Sequence, residues 1–416
     1  MMSSSKRGFI KRLFKPSPVV HHGVGPSASS AVGLSGESAA VSGLNNSAAA
    51  STNLRAASID LDKYLQNVDT TELESRSSDV ISMSRWIEKQ EAYSNSSFRN
   101  IDVEEVTLSV PEYFLIGLAA VSAEEAYDRP TQTRLLAKGF KLVGEVARLA
   151  VGPTGSSIKA TSVGMYESTG PAPDTQYTIV IAIRGTASIH DWMVNLNDGP
   201  EIPIEDAFMG KDMSDNLYRA HAGFLEGAKE MLPEVAIKLA QVVDNFSQIT
   251  SKAKKPSLVF TGHSAGGAVA AMLYTHLTNS TSGSDSLIEL KHNFSNVHCI
   301  TFGAPPITTV PIQPVDKTSV LLSIVNEGDP IPRADRQYIN SLLRLFVTAM
   351  PQGSPKWPLP PCVFANAGKV LLLPKGGGRF LAPRETGEGS LAEMIMGNPK
   401  AHKMRLYLEY QQGMAF

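Results

Sequence analysis

The chain of 416 residues is 42% hydrophobic and 19% charged, and its formal net charge is −2. These values predict one large α/β domain with a tail, and they give no electrostatic reason to expect a nucleic-acid partner. Cys299 and Cys362 are the only cysteines. Two cysteines are too few for a disulfide framework or a zinc site, so we expect both to be buried, reduced thiols.

The first 58 residues are predicted to form a disordered tail, because Ser, Ala and Gly dominate them. The tail starts with a basic stretch, residues 6–15, whose apolar side chains share one helical face. This stretch could touch an anionic membrane or serve as an organelle-targeting signal; the alternative is a solvated basic end. No apolar run approaches about 18 residues, which disfavours membrane spanning and classical secretion.

Residues 59–109 are predicted to be a partly ordered extension, and residues 110–416 the main domain. Apolar periodicity predicts its helices and strands. The predicted helices cover residues 110–126, 133–150 and 223–243, and the predicted strands cover residues 158–166, 177–183, 257–261, 297–302 and 319–325. Strands that alternate with helices imply a mostly parallel central sheet flanked by helices.

Ser264 lies at the point where a predicted strand turns into a predicted helix, in Gly262-His263-Ser264-Ala265-Gly266. A serine at such a nucleophile elbow is lifted clear of the sheet, and the glycines on either side remove side chains that would clash. The pattern predicts that Ser264 is a nucleophile. The alternative is a glycine-rich turn whose serine only caps the helix.

The strand over residues 177–183 leads into Arg184-Gly185-Thr186. The glycine allows close backbone approach, and a threonine there offers an N–H and a hydroxyl to an oxyanion. Thr186 is therefore the predicted oxyanion donor, with a plain capped loop as the alternative. Beyond it, four apolar residues at helical spacing predict a short amphipathic lid helix over the site. The alternative is that these residues belong to the hydrophobic core. These residues are Ile189, Trp192, Met193 and Leu196.

Asp329 follows the strand over residues 319–325, between Gly328 and Pro330. The proline favours an extended Asp329, and the glycine supplies a turn, so the carboxylate can be held in one direction. Asp329 is the best candidate for a catalytic acid. Glu327, Asp316 and Asp335 are rivals, and a turn-forming aspartate is the alternative.

His402 is the only histidine after Asp329. In serine hydrolases built on a mostly parallel sheet, the nucleophile, the acid and the histidine follow one another along the chain, so this order selects His402 as the base. Asn398 and Pro399 resemble an N-cap and a first-turn proline, which predicts His402 in the first turn of the final helix.

Together these motifs resemble the class 3 lipases, the fungal-type lipase family of the α/β-hydrolase fold. The resemblance covers residues 178–410 in separate blocks. They are 179–186 with 191–192 and 195–196, 221–224, 262–268, 301–305, 329–332, and 402 with 407–408. The resemblance implies Ser264, Asp329 and His402 as the catalytic triad and the N–H groups of Thr186 and Ala265 as the oxyanion hole. It also implies a lid near residues 188–197.

The family likeness implies a serine ester hydrolase, and we expect a lipase that cleaves acylglycerol esters through an acyl-enzyme, without metal or organic cofactor. A phospholipase A-type enzyme, another carboxylesterase, a non-catalytic lipase-like scaffold or signalling partner and a membrane-recruited adaptor stay open. Pro306 stands where the family commonly has arginine, which leaves substrate preference open.

The expected partner is a lipid ester, with transient contact to a membrane or lipid-droplet surface. The secreted fungal members carry signals and disulfides that this chain lacks, so an intracellular member fits better. We expect it to be cytoplasmic or peripheral to a membrane, or targeted to an organelle through the basic N-terminus.

Overall fold

The computed structural model of the protein describes eleven segments of the chain. They are residues 77–127, 139–143, 146–149, 161–169, 176–185, 200–201, 208–210, 219–250, 255–279, 285–384 and 391–412. All of them belong to one compact unit, Ile59–Phe416. The predicted tail, Thr186 and the predicted lid helix lie outside these residues. The domain boundaries stay predictions.

Twelve strands occur in the described residues. They are β1 Val103–Glu105, β2 Phe140–Leu142, β3 Ala147–Leu149, β4 Thr161–Ser168, β5 Tyr177–Ile183, β6 Pro200–Glu201, β7 Ala220–His221, β8 Ser257–His263, β9 Val297–Phe302, β10 Leu321–Asn326, β11 Lys369–Leu373 and β12 Leu381–Pro383. Ten of them form one sheet, in the order β1-β12-β11-β10-β9-β8-β5-β4-β2 with β3 beside β4. The other two, β6 and β7, pair with each other.

The centre of the large sheet is parallel. Strands β5, β8, β9, β10 and β11 run in one direction, and antiparallel strands continue the sheet on both sides. Every residue of β8, β9 and β10 is buried. Parallel strands covered on both faces are mostly apolar, because neither face meets water.

Seven α-helices occur in the described residues. They are α1 Ser77–Glu91, α2 Val110–Glu125, α3 Ala222–Ile249, α4 Ala265–Asn279, α5 Ser286–Glu289, α6 Arg336–Val347 and α7 Met404–Gln412. Helix α2 begins at a capping box, because the Ser109 side chain accepts from Glu112 N while the Glu112 carboxylate accepts from Ser109 N. None of the helices in the described part of the chain is long and apolar enough to cross a membrane.

Helices cover both faces of the sheet. On β5, Ile179, Ile181 and Ile183 pack into a cluster with α3 and α4. Val180 and Ala182, which alternate with them, pack into a second cluster with α2 and α7. This alternation follows from the two-residue period of a strand. The three-layer order and the parallel centre are those of an α/β-hydrolase fold, so the predicted fold is confirmed.

One predicted helix is wrong. Residues 133–150 were expected to be helical, but their described parts form β2 and β3, which pair antiparallel with β4. In β2, Phe140 is buried and Lys141 exposed, so the pattern there has the period of a strand. Gly139 turns the chain into β2 with a φ of 76°. The predicted helices over residues 110–126 and 223–243 and the five predicted strands are confirmed, with ends shifted by a few residues.

The two cysteines differ in exposure. Cys299 is buried in β9, whereas Cys362 is exposed and lies outside any strand, so the expectation that both are buried is wrong for Cys362. Burial raises the pKa of the Cys299 thiol far above its usual range. Cys299 therefore stays protonated and is not a nucleophile.

Candidate active site

The polar residues of interest lie where the parallel strands end. Strand β8 ends at His263, directly before Ser264, and β10 ends at Asn326, three residues before Asp329. Because parallel strands end at the same edge of a sheet, both exits open on one side of the molecule, where ligands bind in open α/β sheets.

Ser264 has a φ of 59°. It is the only residue other than glycine with a positive φ in the described part of the chain. This left-handed conformation costs about 1–2 kcal/mol in an L-residue, and such strain clusters at active sites. The backbone is held there because Ser264 N donates to Phe302 O at 3.0 Å and Gly267 N donates to Ser264 O at 2.9 Å.

Gly262 and Gly266 make this turn possible. A Cβ atom on Gly262 would lie 2.6 Å from the carbonyl carbon of Gly266 and 2.7 Å from Ile183 O. A Cβ atom on Gly266 would collide with Ile183 O and lie 2.7 Å from the carbonyl carbon of Arg184. These neighbours are backbone atoms and cannot rotate away, so the elbow requires glycine at both positions.

Ala265 is the first residue of α4. Its N–H is one of the four that an α-helix leaves without an acceptor inside the helix, at the positive end of the helix dipole. The chain that leads to Thr186 runs close by, because a Cβ atom on Gly185 would lie 3.1 Å from Ser264 Cβ. The oxyanion position predicted at Thr186 itself lies outside the described residues.

Asp329 and His402 form a buried pair. His402 Nδ1 lies 2.9 Å from Asp329 Oδ2 and 3.1 Å from Oδ1, and the two residues are 3% and 0% exposed. A carboxylate can only accept, so the hydrogen between them is on Nδ1. In the neutral ring, Nε2 then carries the lone pair and is free to accept a proton; it has no hydrogen-bond partner among the described residues.

Tyr407 is a second donor to the carboxylate. Its hydroxyl donates to Asp329 Oδ2 at 2.6 Å and accepts from Asn326 N at 3.1 Å. Burial and the nearby Asp329 charge raise the pKa of Tyr407 well above 10. The phenol therefore stays protonated and keeps donating. Gly303 leaves room for these groups, because a Cβ atom there would lie 2.7 Å from Asp329 Oδ2.

Hydrogen bonds within residues 326–331 also fix the turn that carries Asp329. Gly328 has a φ of 91°, and Asp329 N donates to Asn326 O at 3.1 Å. Ile331 N donates to Asp329 Oδ1 at 2.9 Å. Both carboxylate oxygens therefore have donors, which is how a buried charge is stabilised.

The rival acids have other partners. Glu327 accepts from Ser97 Oγ and Phe98 N in the extension. Asp335 caps α6 through Tyr338 N, and Asp316 accepts from residues of an exposed turn. The described residues contain no group of three or more His, Cys, Asp or Glu side chains that could hold a metal ion.

His402 does not lie in the first turn of the final helix, as was expected. It ends a 3₁₀-helix, Pro399–His402, and α7 begins after an extended Lys403. Asn398 is indeed an N-cap, since its side chain accepts from Lys400 N, but it caps only this short turn. Capping residues mark where a helix begins and do not fix how far it runs.

Two strand-end side chains hold this 3₁₀-helix. Asn326 Nδ2 donates to Ala401 O at 2.9 Å. His263 Nε2 donates to His402 O at 2.6 Å, and the two imidazole rings lie 4.5 Å apart. Since a carbonyl only accepts, His263 in its neutral form leaves Nδ1 to accept from Tyr127 Oη at 3.0 Å. His263, directly before Ser264, thus contacts the backbone of the residue that pairs with Asp329.

The sequence patterns predict roles for Ser264, Asp329 and His402 but none for Tyr407, Asn326 or Gly303. Tyr407 is five residues after His402, and its approach to Asp329 depends on how α7 packs. Strand-end position was the one available signal for Asn326, which directly follows the predicted strand.

Comparisons with known proteins find one family model and several lipases that resemble this chain. Residues 180–338 match the family model of lipase (class 3). Over 119 residues the chain is 29% identical to the secreted mono- and diacylglycerol lipase 1 of Fusarium solani, an alignment that covers 28% of this chain and 29% of that protein. Over 154 residues it is 29% identical to a lipase of Rhizomucor miehei, covering 36% of this chain and 35% of that protein. The chain thus spans about a third of the length of these curated relatives.

Two solved structures show the same kind of likeness at lower identity. The native propeptide complex of Rhizomucor miehei lipase is 17% identical, with a TM-score of 0.43, over 74% of this chain and 83% of that chain. The Lip2 lipase of Yarrowia lipolytica is 12% identical, with a TM-score of 0.44, over 75% of this chain and 96% of that chain.

Proposed function

Since residues 180–338 match the family model of lipase (class 3), we propose that the protein is a serine lipase that hydrolyses the carboxylic esters of acylglycerols through an acyl-enzyme. Ser264 is the nucleophile, His402 the general base and acid, and Asp329 the group that orients and stabilises the imidazole. One observation carries the proposal. The buried bond from His402 Nδ1 to Asp329 leaves Nε2 as the proton acceptor, at the sheet edge where Ser264 sits on its strained turn.

The reaction follows from these atoms. Ser264 Oγ attacks the ester carbonyl carbon while its proton passes to His402 Nε2, and the carbonyl π electrons move to oxygen. When the tetrahedral intermediate collapses, the bond to the alcohol oxygen breaks and Nε2 returns the proton to that oxygen. Water then attacks the acyl-enzyme in the same way, and the fatty acid leaves as Ser264 regains its hydrogen. No other reactant is needed.

The oxyanion would be held by backbone N–H groups. Ala265 N–H stands at the positive end of α4, a helix of 15 residues, and this end favours the negative charge that develops in the transition state. The second donor in the proposal is Thr186 N–H; Thr186 follows Gly185, where a Cβ atom would lie 3.1 Å from Ser264 Cβ.

The substrate class rests on the family and on the relatives, which are named as lipases. Transient contact with a membrane or lipid-droplet surface is part of the proposal, because an insoluble ester has to be met at an interface. The basic residues 6–15 and the apolar lid residues are the sequence features that support it. Intracellular location stays a prediction.

A fluorophosphonate probe and a substrate screen test this proposal. The probe should label the wild-type protein at Ser264, and Ser264→Ala should abolish labelling and lower turnover by about 10⁴-fold or more without unfolding the protein. Mono-, di- and triacylglycerols, phospholipids and short aryl esters would be compared. If Ser264→Ala keeps activity within tenfold of wild type, the assignment of Ser264 as the nucleophile is wrong.

The screen also separates the alternatives. Cleavage of acylglycerols in preference to phospholipids supports the lipase, whereas the reverse order replaces it with a phospholipase A-type enzyme. A folded wild-type protein that neither reacts with the probe nor cleaves any ester would be a non-catalytic scaffold, and the proposal would then be wrong.

A further inference from the structure

The segment before His402 has little regular structure of its own. Between a short 3₁₀-helix at Leu391–Glu393 and the 3₁₀-helix at Pro399–His402, residues 394–398 belong to neither helix nor strand. Such a segment cannot hold a side chain in place through its own hydrogen bonds. A base must stay within a fraction of an ångström of its working position, since a shift of about 1 Å can cost about 100-fold in rate.

Helix α1 supplies one of the anchors that the segment needs, in addition to Asn95 and Tyr338. Trp86 Nε1 and Gln90 Nε2 both donate to the carbonyl oxygen of Gly397, the latter at 3.0 Å. Trp86 is 7% exposed and Gln90 is 6% exposed. A carbonyl oxygen has two lone pairs, and here each one receives a buried donor. A Cβ atom on Gly397 would lie 2.7 Å from Gln90 Oε1, so a side chain there would displace the Gln90 amide from its bond.

The other side of the same peptide group is bonded to the acid turn. Asn398 N donates to Gly328 O at 2.8 Å, and Gly328 directly precedes Asp329. The peptide group between Gly397 and Asn398 therefore joins α1 to the turn that carries the acid. It lies four residues before His402, at the start of the 3₁₀-helix that carries the base.

We propose that α1 is a positioning element for the base, and that Trp86 and Gln90 set the separation of His402 from Asp329 by fixing this one peptide group. The inference rests on the proposed function, in which His402 needs Asp329 to act as a base. Helix α1 lies about 90 residues before the segment that matches the family model. The proposal assigns that helix a task in catalysis.

The test removes the two donors and keeps the packing. Trp86→Phe retains an aromatic ring against Phe346, whose centroid lies 4.9 Å from that of Trp86, and Gln90→Met retains the length of the side chain. The double variant should lower kcat for a soluble short-chain ester by about 10- to 100-fold while KM changes by less than about threefold. The rate of fluorophosphonate labelling at Ser264 should fall in parallel.

Trp357→Phe is the matched control. Trp357 packs against the same apolar cluster as Trp86, and its Nε1 donates to Ser341 Oγ at 3.0 Å, so the same indole N–H is lost without touching Gly397. The control should lower the melting temperature about as much as Trp86→Phe and keep kcat within about threefold of wild type. Equal losses of kcat in both variants, or a double variant within threefold of wild type, would overturn the proposal.

Two further measurements keep the result decisive. If the double variant does not fold, Gln90→Met alone is used, with an expected loss of about fivefold or more in kcat. The low-field NMR resonance of the hydrogen between His402 Nδ1 and Asp329 should move upfield or broaden in the variant. This resonance does not depend on ester hydrolysis, so it tests the positioning even if the protein proves not to be an esterase. An unchanged resonance contradicts the inference.

Discussion

Tyr407 Oη lies 2.6 Å from Asp329 Oδ2, the oxygen that also receives the His402 Nδ1 hydrogen at 2.9 Å. One carboxylate oxygen thus accepts a neutral phenol and an imidazole at once. Because the phenol does not titrate near neutral pH, it stabilises the ionised carboxylate through the whole working range of a histidine base.

Tyr407→Phe should lower kcat by about tenfold and the melting temperature by a few degrees, because the buried carboxylate loses a donor and Asn326 N loses its acceptor. Tyr410→Phe, on the same helix, is the control. A kcat unchanged in Tyr407→Phe would mean that the phenol has no part in positioning.

His402 and Asp329 should behave as one unit. His402→Ala and Asp329→Asn should each lower kcat by about 10⁴-fold. The kcat of the double variant should lie within about threefold of that of the less active single variant. His298→Ala, at a buried histidine whose Nδ1 accepts from Val320 N, should keep most of the activity. Additive losses in the double variant would show that the two residues act separately.

Gly266→Ala should destabilise the protein and abolish activity together. The added methyl group meets the backbone of Ile183, Arg184 and Gly185, so the elbow or the chain leading to Thr186 has to move. We expect a loss of about 3 kcal/mol or more in the free energy of unfolding, measured by urea denaturation. Gly223→Ala is the control, because its Cβ atom would meet nothing closer than 3.7 Å. Equal stability of the two variants would contradict the close packing described at the elbow.

Trp192→Ser tests the lid predicted from sequence. If Ile189, Trp192, Met193 and Leu196 cover the site and turn toward lipid, the variant should lose far more activity on emulsified long-chain esters than on soluble short-chain esters. The ratio of the two rates is the measurement. Equal losses on both substrates, with a lower melting temperature, would assign Trp192 to the core.

The protein should lose stability steeply above pH 10. Burial raises the pKa values of Tyr166, Tyr274, Tyr338 and Tyr407, so the folded state binds more protons than the unfolded state above pH 10. Stability from these groups is complete below their unfolded pKa and declines with rising pH, by about 1.4 kcal/mol per pH unit for each group. Tyrosinate absorbance and far-UV circular dichroism should therefore change together. Ionisation of all tyrosines without unfolding would contradict this.

Position along the chain was enough to predict the elbow. The tight turn needs glycine at positions 262 and 266, and this need is visible in the local sequence. The strand before Ser264 and the helix after it are also local features. Asp329 and His402 were predictable for a different reason, because strand ends converge and the order of the residues left one histidine. Their separation could not be predicted, since the loop of His402 is fixed by contacts with residues far away in sequence.

The wrong helix and one missed contact share a physical origin. Residues 139–149 contain apolar side chains at spacings that suit a helix or a strand, and the choice is made by pairing with β4. Nothing within the segment encodes that partner. The hydrogen bonds from Trp86 and Gln90 to Gly397 O likewise join residues about 310 apart in sequence. A local sequence pattern cannot predict such a contact.

Among the described residues, the strand at one margin of the sheet is β1, which is three residues long and pairs antiparallel with β12. Its Glu104 and Glu105 are exposed, and Arg379 and Arg384 beside it form ion pairs with them. A short edge strand with charged side chains pairs poorly with a strand of another molecule, because pairing would desolvate these charged groups. These charges therefore disfavour edge-to-edge aggregation of the sheet. Apolar residues at Glu104 and Glu105 would make the protein prone to self-association.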